Sequence, residues 1–185
     1  MDRRRFLAAA GTTGAVGLAG CSALSSTTDA NATFVSEGKN RYFLFSVDGD
    51  EVATAGIRLY TGTAADGPVL FTFWAEQQRE TSFSDFRLEL TPSNRNAAIY
   101  MQAPSGSPFP EFRYAHARDG PGTVVEISDF GAQAEGTLPL EFAYDPWVDD
   151  PTLGFDAAFS LSTGGLVSDE IRCEASRDIP VPAET

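Results

Sequence analysis

The sequence predicts an all-β protein built as a sandwich of two antiparallel sheets, with a closed barrel as the second-ranked architecture. Three observations carry this. Apolar and polar residues alternate with period two in many short runs, turn-forming clusters separate those runs at near-regular spacing, and no stretch shows the 3.6-residue apolar stripe of a helix. The chain has 185 residues, 42% of them hydrophobic and 11% aromatic, including 14 Phe. That length suits one domain, and that composition excludes intrinsic disorder.

Taken in order, the strand candidates are Arg41–Val47, Val52–Tyr60, Val69–Trp74, Asp85–Leu90, Ala97–Ala103, Glu111–His116, Thr123–Ser128, Leu138–Tyr144, Phe155–Leu161 and Leu166–Cys173. The clearest alternation sets Phe86, Leu88 and Leu90 against Asp85, Arg87 and Glu89. Leu138, Leu140, Phe142 and Tyr144 repeat the pattern, as do Phe155, Ala157, Phe159 and Leu161. Turns are signalled at Asp48-Gly49-Asp50, Ala65-Asp66-Gly67-Pro68, Thr91-Pro92-Ser93-Asn94, Asp119-Gly120-Pro121-Gly122 and Thr163-Gly164-Gly165. About ten short strands with such punctuation suit an immunoglobulin-like or jelly-roll-like sandwich over residues 32–178, followed by a flexible tail at 179–185. Pro139 lacks a backbone donor and places its strand at an edge or a bulge. The polar segment Glu76–Ser82 reads as a helical turn. No repeat of fixed period is present.

Ahead of this domain, residues 1–20 have the order of an export signal: a basic start at Arg3, Arg4 and Arg5, a weakly apolar stretch from Phe6 to Leu18, then small residues. The stretch is shorter than the ~20 apolar residues a membrane-spanning helix needs. Arg3-Arg4-Arg5-Phe6-Leu7 resembles the twin-arginine export motif, with Arg3, Arg4, Phe6 and Leu7 as its matching positions; Asp2 stands where that pattern usually has Ser or Thr. Leu18-Ala19-Gly20-Cys21 resembles a lipoprotein lipobox. The resemblance implies cleavage before Cys21 and lipid attachment to it. Residues 21–31, small and polar after the cysteine, then read as a flexible tether. Asn31-Ala32-Thr33 is an N-x-[ST] sequon, which makes Asn31 a candidate glycosylation site.

The formal charge is −13, from 13 basic and 26 acidic residues, and Lys39 is the sole lysine. Removal of residues 1–20 takes away three Arg and Asp2, leaving 10 basic and 25 acidic residues. Nucleic acid is a poor partner for such a chain, because phosphate is held by clustered Lys and Arg. Abundant carboxylates, scarce lysine and this N-terminal signal together resemble secreted lipoproteins of halophilic archaea. Dense carboxylates keep a surface hydrated where salt promotes association.

Inventory removes most site chemistry. A blue-copper site needs two His, one Cys and a weak axial ligand, and the chain offers only His116, Cys173 and Met101. Tetrahedral zinc fails for the same want of ligands. A Ser-His-Asp hydrolase would have to use His116, and G-x-S-x-G is absent. Cys173 loses its one thiol partner if Cys21 is lipidated, and it reads as a buried, inert thiol. Asp145, Asp149 and Asp150 are weak candidates for a hard cation, since their spacing misses the calcium-loop pattern. No cofactor is expected. Trp147 and Phe109, each among prolines, read first as core-packing aromatics and otherwise as a candidate contact surface.

The functional expectation is a lipid-anchored extracellular module, not an enzyme, that binds a cell-surface protein or glycan. Its partners are the membrane through the anchor and a ligand of unknown identity. A carboxylate-dependent hydrolase such as a glycosidase is the rival, and it predicts a cleft lined by two facing acids. A solute-binding lipoprotein is the third reading, disfavoured because the processed chain leaves little room for two lobes.

Overall fold

The computed structural model describes residues 26–60, 68–78, 80–102, 110–117, 120–131, 135–146, 152–164 and 169–181. Among the described residues, twelve strands form two six-stranded sheets. The first sheet contains β1 (Thr27–Asp29), β6 (Thr81–Pro92), β8 (Glu111–His116), β9 (Thr123–Asp129), β11 (Thr152–Thr163) and β12 (Glu170–Pro180), in the order β1-β12-β11-β6-β9-β8. The second contains β2 (Asn31–Glu37), β3 (Asn40–Val47), β4 (Asp50–Leu59), β5 (Val69–Gln77), β7 (Ala98–Met101) and β10 (Thr137–Asp145), in the order β2-β3-β4-β5-β10-β7. Neither sheet closes on itself, so the sandwich stands and the barrel is excluded. Pairing is antiparallel except where β1 joins β12 in parallel.

Period-two burial explains why these residues form these strands. In β5, Val69, Phe71, Phe73 and Ala75 face inward, and in β10 Leu138, Leu140, Phe142 and Tyr144 do the same. From the other sheet come Phe86, Leu88, Leu90, Phe155, Phe159 and Leu161. Phenylalanine rings meet across the interface: Phe45 lies 5.1 Å from Phe159, Phe73 5.3 Å from Phe86, and Phe43 5.9 Å from Phe155, centroid to centroid. Each such ring contributes ~1.5–3 kcal/mol of burial free energy, which is why a Phe-rich chain of this size sustains a double-layered core.

The flanks of the sandwich are closed by different means. On one side Phe34 of β2 packs 5.2 Å from Phe43 and carries the Arg177 guanidinium 4.0 Å over its ring. On the other, the Tyr114 hydroxyl (3.2 Å) and the buried Thr123 hydroxyl (3.3 Å) both donate to the Ile99 carbonyl, tying β8 and β9 to β7. Among the described residues no buried side-chain polar atom lacks a partner.

Several expectations need correction. The tether expected over 21–31 is strand from Thr27 onward: Thr27–Asp29 pair with Glu170–Arg172, Ala30 N–H donates to the Arg172 carbonyl at 2.8 Å, and β2 starts at Asn31. An exposed strand added to a sheet edge is held by main-chain hydrogen bonds, and these leave no mark in hydropathy. The C-terminal boundary moves outward as well, because Ile179 and Val181 are buried. Of the segment expected as a helical turn, Glu76 and Gln77 end β5, and Thr81 and Ser82 begin β6. Glu80, just ahead of β6, lies at φ 75°, a left-handed conformation uncommon for a side chain of this type. Pro139 lies inside β10 with β5 on one side, and among the described residues β7 pairs on the other side only with Phe142–Asp145.

Candidate functional site

The outward-facing sets of the two sheets differ in kind. On the first sheet, register aligns Asp156 with Glu89, and Ala158 with Arg87, which in turn lies opposite Glu126. Arg87 sits at the centre of this face, bonded at 2.6 Å to both Glu89 and Glu126. Packed neighbours desolvate the Asp156 carboxyl and push its pKa up, and the facing Glu89 adds to the rise. This surface is acidic, polar and crossed by ion pairs.

The second sheet presents aromatic and apolar side chains instead. A transverse row runs from Tyr60 through Leu70 and Ala143 to Tyr100, set by Tyr60 N–H donating to Leu70 and by the Leu70–Ala143 and Ala143–Tyr100 pairs. Tyr60, Leu70 and Tyr100 are 47%, 41% and 60% exposed. One step along the strands lies a polar row of Arg58, Thr72 and Glu141. The hydroxyl of Thr72 donates to that of Tyr60 at 3.1 Å, and Arg58 Nε donates to Asn40 Oδ1 at 2.9 Å. A further step brings Tyr42, Gly56, Trp74 and Pro139 into register.

Gly56 explains how this third row is built. Tyr42 and Trp74 sit two strands apart, ~9.6 Å between backbones, yet their rings come within 6.0 Å. They lean together over the glycine, which has no side chain to separate them. A methyl added to Gly56 would collide with the Arg41 carbonyl oxygen and with Tyr42 Cβ. The packed pair therefore depends on one missing side chain.

A second candidate lies at the other end of the first sheet. A cavity of about 340 Å³ is lined by Glu111, Phe112, Arg113, Glu126 and Ser128. It opens where the β8–β9 register shifts between Glu111 and Arg113. Two glutamates share it, but Glu126 is already ion-paired with Arg87.

The remaining sequence-derived candidates fall apart in space. His116 is exposed at the end of β8 with Tyr114 as its ring neighbour, 6.4 Å away. Met101 is half-buried in β7 and packs against the core, while Cys173 is fully buried, with desolvation pushing its thiol up to about 12. Such a thiol is unreactive near neutrality. Asn31 is exposed at the start of β2 and Asp145 is half-buried at the end of β10. Arg3, Arg4, Phe6, Leu7, Leu18, Ala19, Gly20, Cys21, Phe109, Trp147, Asp149 and Asp150 lie outside the described residues. Among the described residues no group of three His, Cys, Asp or Glu side chains is placed to hold a metal ion. Sequence reasoning missed the Tyr60, Trp74 and Tyr100 surface. The signal was present in Val69–Gln77, where the residues out of phase with the core are Leu70, Thr72, Trp74 and Glu76, and two of those four are large and apolar.

Residues 25–183 match the family described as a domain of unknown function, DUF8121, and the chain belongs to it. No curated protein matches. Among solved structures, the seventh ScaB type I cohesin from Pseudobacteroides cellulosolvens is similar at 13% identity, covering 64% of this chain and 85% of that one, with a TM-score of 0.38. The human F-spondin reeler domain is similar at 6% identity, covering 84% and 94%, with a TM-score of 0.36. The collagen adhesin of S. aureus is similar at 9% identity, covering 82% of each chain, with a TM-score of 0.32. These likenesses concern fold alone.

Proposed function

We propose that this member of the DUF8121 family is a non-catalytic binding module, held by a lipid on Cys21 at the outer face of the cell membrane of a halophilic archaeon, with the outer face of the second sheet as its contact surface. The observation that carries the reading is the contrast between the two faces. In a chain of −13, one sheet gathers carboxylates and, among the described residues, has only Tyr114 on its β8 edge as a large exposed apolar side chain, whereas the other keeps three in one row. Solvated apolar side chains scattered singly are ordinary, whereas an aligned row across four strands marks a contact surface.

The docked β1 strand adds an orientation to this reading. Ser26 donates to the Asp169 carboxylate through its N–H (3.2 Å) and its hydroxyl (2.8 Å), which fixes the start of the described fold beside β12. From Cys21 to Ser26 the chain spans at most ~18 Å, and the end of the sandwich carrying Ser26 and Asp169 is the end an anchor would hold against the membrane. The Tyr60–Tyr100 row lies at the opposite end, about 24 Å along β5 from Gln77. Asn31 stands exposed near the anchored end, where a glycan on it would leave that row clear. Fractionation of cells expressing Cys21→Ser tests the anchor: the variant is expected in the soluble fraction, and retention in the membrane pellet overturns the assignment. The rival hydrolase reading draws on the Glu111 and Glu126 cavity. It requires Glu111→Gln to abolish a glycosidase activity that the binding-module reading does not contain.

A further inference from the structure

We propose that the outer face of the second sheet binds neutral polysaccharide, stacking pyranose rings on its aromatic rows and hydrogen-bonding their hydroxyls from the polar row between; this rests on the reading of the chain as an anchored binding module. The Tyr60 to Tyr100 row spans four strands, a strip ~14 Å long. Trp74 stands ~14 Å away along the strands, four residues from Leu70, so the polar row is flanked by aromatic rings on both sides. A pyranose is apolar over its C–H faces and polar around its rim. Aromatic faces suit the former, and the planar guanidinium of Arg58, the Glu141 carboxylate and the Thr72 and Tyr60 hydroxyls suit the latter.

Charge selects a neutral ligand over a charged one. The polar row holds one cation and one anion, Arg58 and Glu141, and the chain as a whole carries −13. That net charge opposes an acidic polymer. A cationic partner would prefer the first sheet, where Asp156, Glu89 and Glu126 face outward. In molar salt, charge attraction is screened to roughly 3 Å, whereas stacking on apolar surface is strengthened by excluded salts. The anchored membrane is also the wrong occupant, because the chain before Ser26 enters at the far end of the sandwich from the Tyr60–Tyr100 row.

The test titrates the full chain in molar KCl with cellohexaose, laminarihexaose and mannohexaose by calorimetry. At least one hexaose is expected to bind, and the Tyr60→Ala, Tyr100→Ala double variant to bind about tenfold more weakly or worse with an unchanged melting curve. Arg87→Ala, on the opposite face, should bind as the parent does. Failure of all three sugars at ~10 mM, binding undiminished in the double variant, or a sugar-independent dimer that the double variant dissolves, each overturns the assignment. Retention of the chain on isolated cell envelopes separates this failure from that of the broader reading. If the double variant loses retention while no sugar binds, the contact surface stands and the ligand class falls. If retention ignores both tyrosines, the contact surface falls as well.

Discussion

The two outer faces are made by strands of the same pattern, yet one is a lattice of charge and the other a field of rings. Both inner faces obey one demand, to fill the same core, so Phe73 and Phe86 are interchangeable in kind. The outer faces answer to no such demand, and they differ in composition: ion pairs surround Arg87, whereas aromatic rings gather around Trp74 and Tyr60.

The largest expected effect comes from breaking the aromatic face at its glycine. Gly56→Ala must push β3 from β4 or displace Tyr42, because its methyl meets main-chain atoms. A loss of ~3 kcal/mol in denaturant unfolding is expected, with quenching of the Trp74 fluorescence environment. An equal-sized change at Ala158 on the charged face, Ala158→Ser, should stay within ~0.5 kcal/mol.

The charged face is expected to respond to salt where the aromatic one does not. The chain should melt higher in molar KCl than at low ionic strength, and a salt-independent melting temperature would remove the halophilic interpretation of its charge. Within that face, Arg87→Ala leaves Glu89, Glu126 and Asp156 without their shared cation. The expected cost is ~1 kcal/mol at low salt, falling toward zero in molar KCl, since the pairs are exposed.

The smallest effect concerns Asp156. Its folded pKa is raised, so its ionised form opposes folding. That penalty is absent below the ordinary carboxylate range and appears as pH climbs through the raised value. Asp156→Asn should accordingly gain about 0.5 kcal/mol at neutral pH after solvent screening, with the gain vanishing in acid. A gain that persists at low pH would assign the effect to packing instead of charge.

Much of the fold was legible because burial imposes period two. Glu111–His116 has the predicted bounds, and the runs at Leu138–Tyr144 and Phe155–Leu161 lie inside β10 and β11. β1 was invisible, since Thr27, Thr28 and Asp29 are exposed and their parallel pairing with β12 leaves no period-two pattern. β2 was missed for a related reason: it is an edge strand with only Phe34 and Val35 partly buried. The candidate site was half legible. Trp74 and Leu70 could be read as out of phase with the core, but Tyr42, Tyr60 and Tyr100 come from three other strands.

By itself the sequence determined the fold class, the identity of the core residues, the acidity of the surface and the resemblance of residues 1–21 to a lipoprotein signal. These are local or additive properties, set by neighbours along the chain. Strand order, the docking of β1 on β12, and the gathering of Tyr42, Gly56 and Trp74 into one row were decided by tertiary structure alone. Register between strands distant in sequence is fixed by which inner faces fill the core together, and the outer faces inherit whatever alignment that packing imposes.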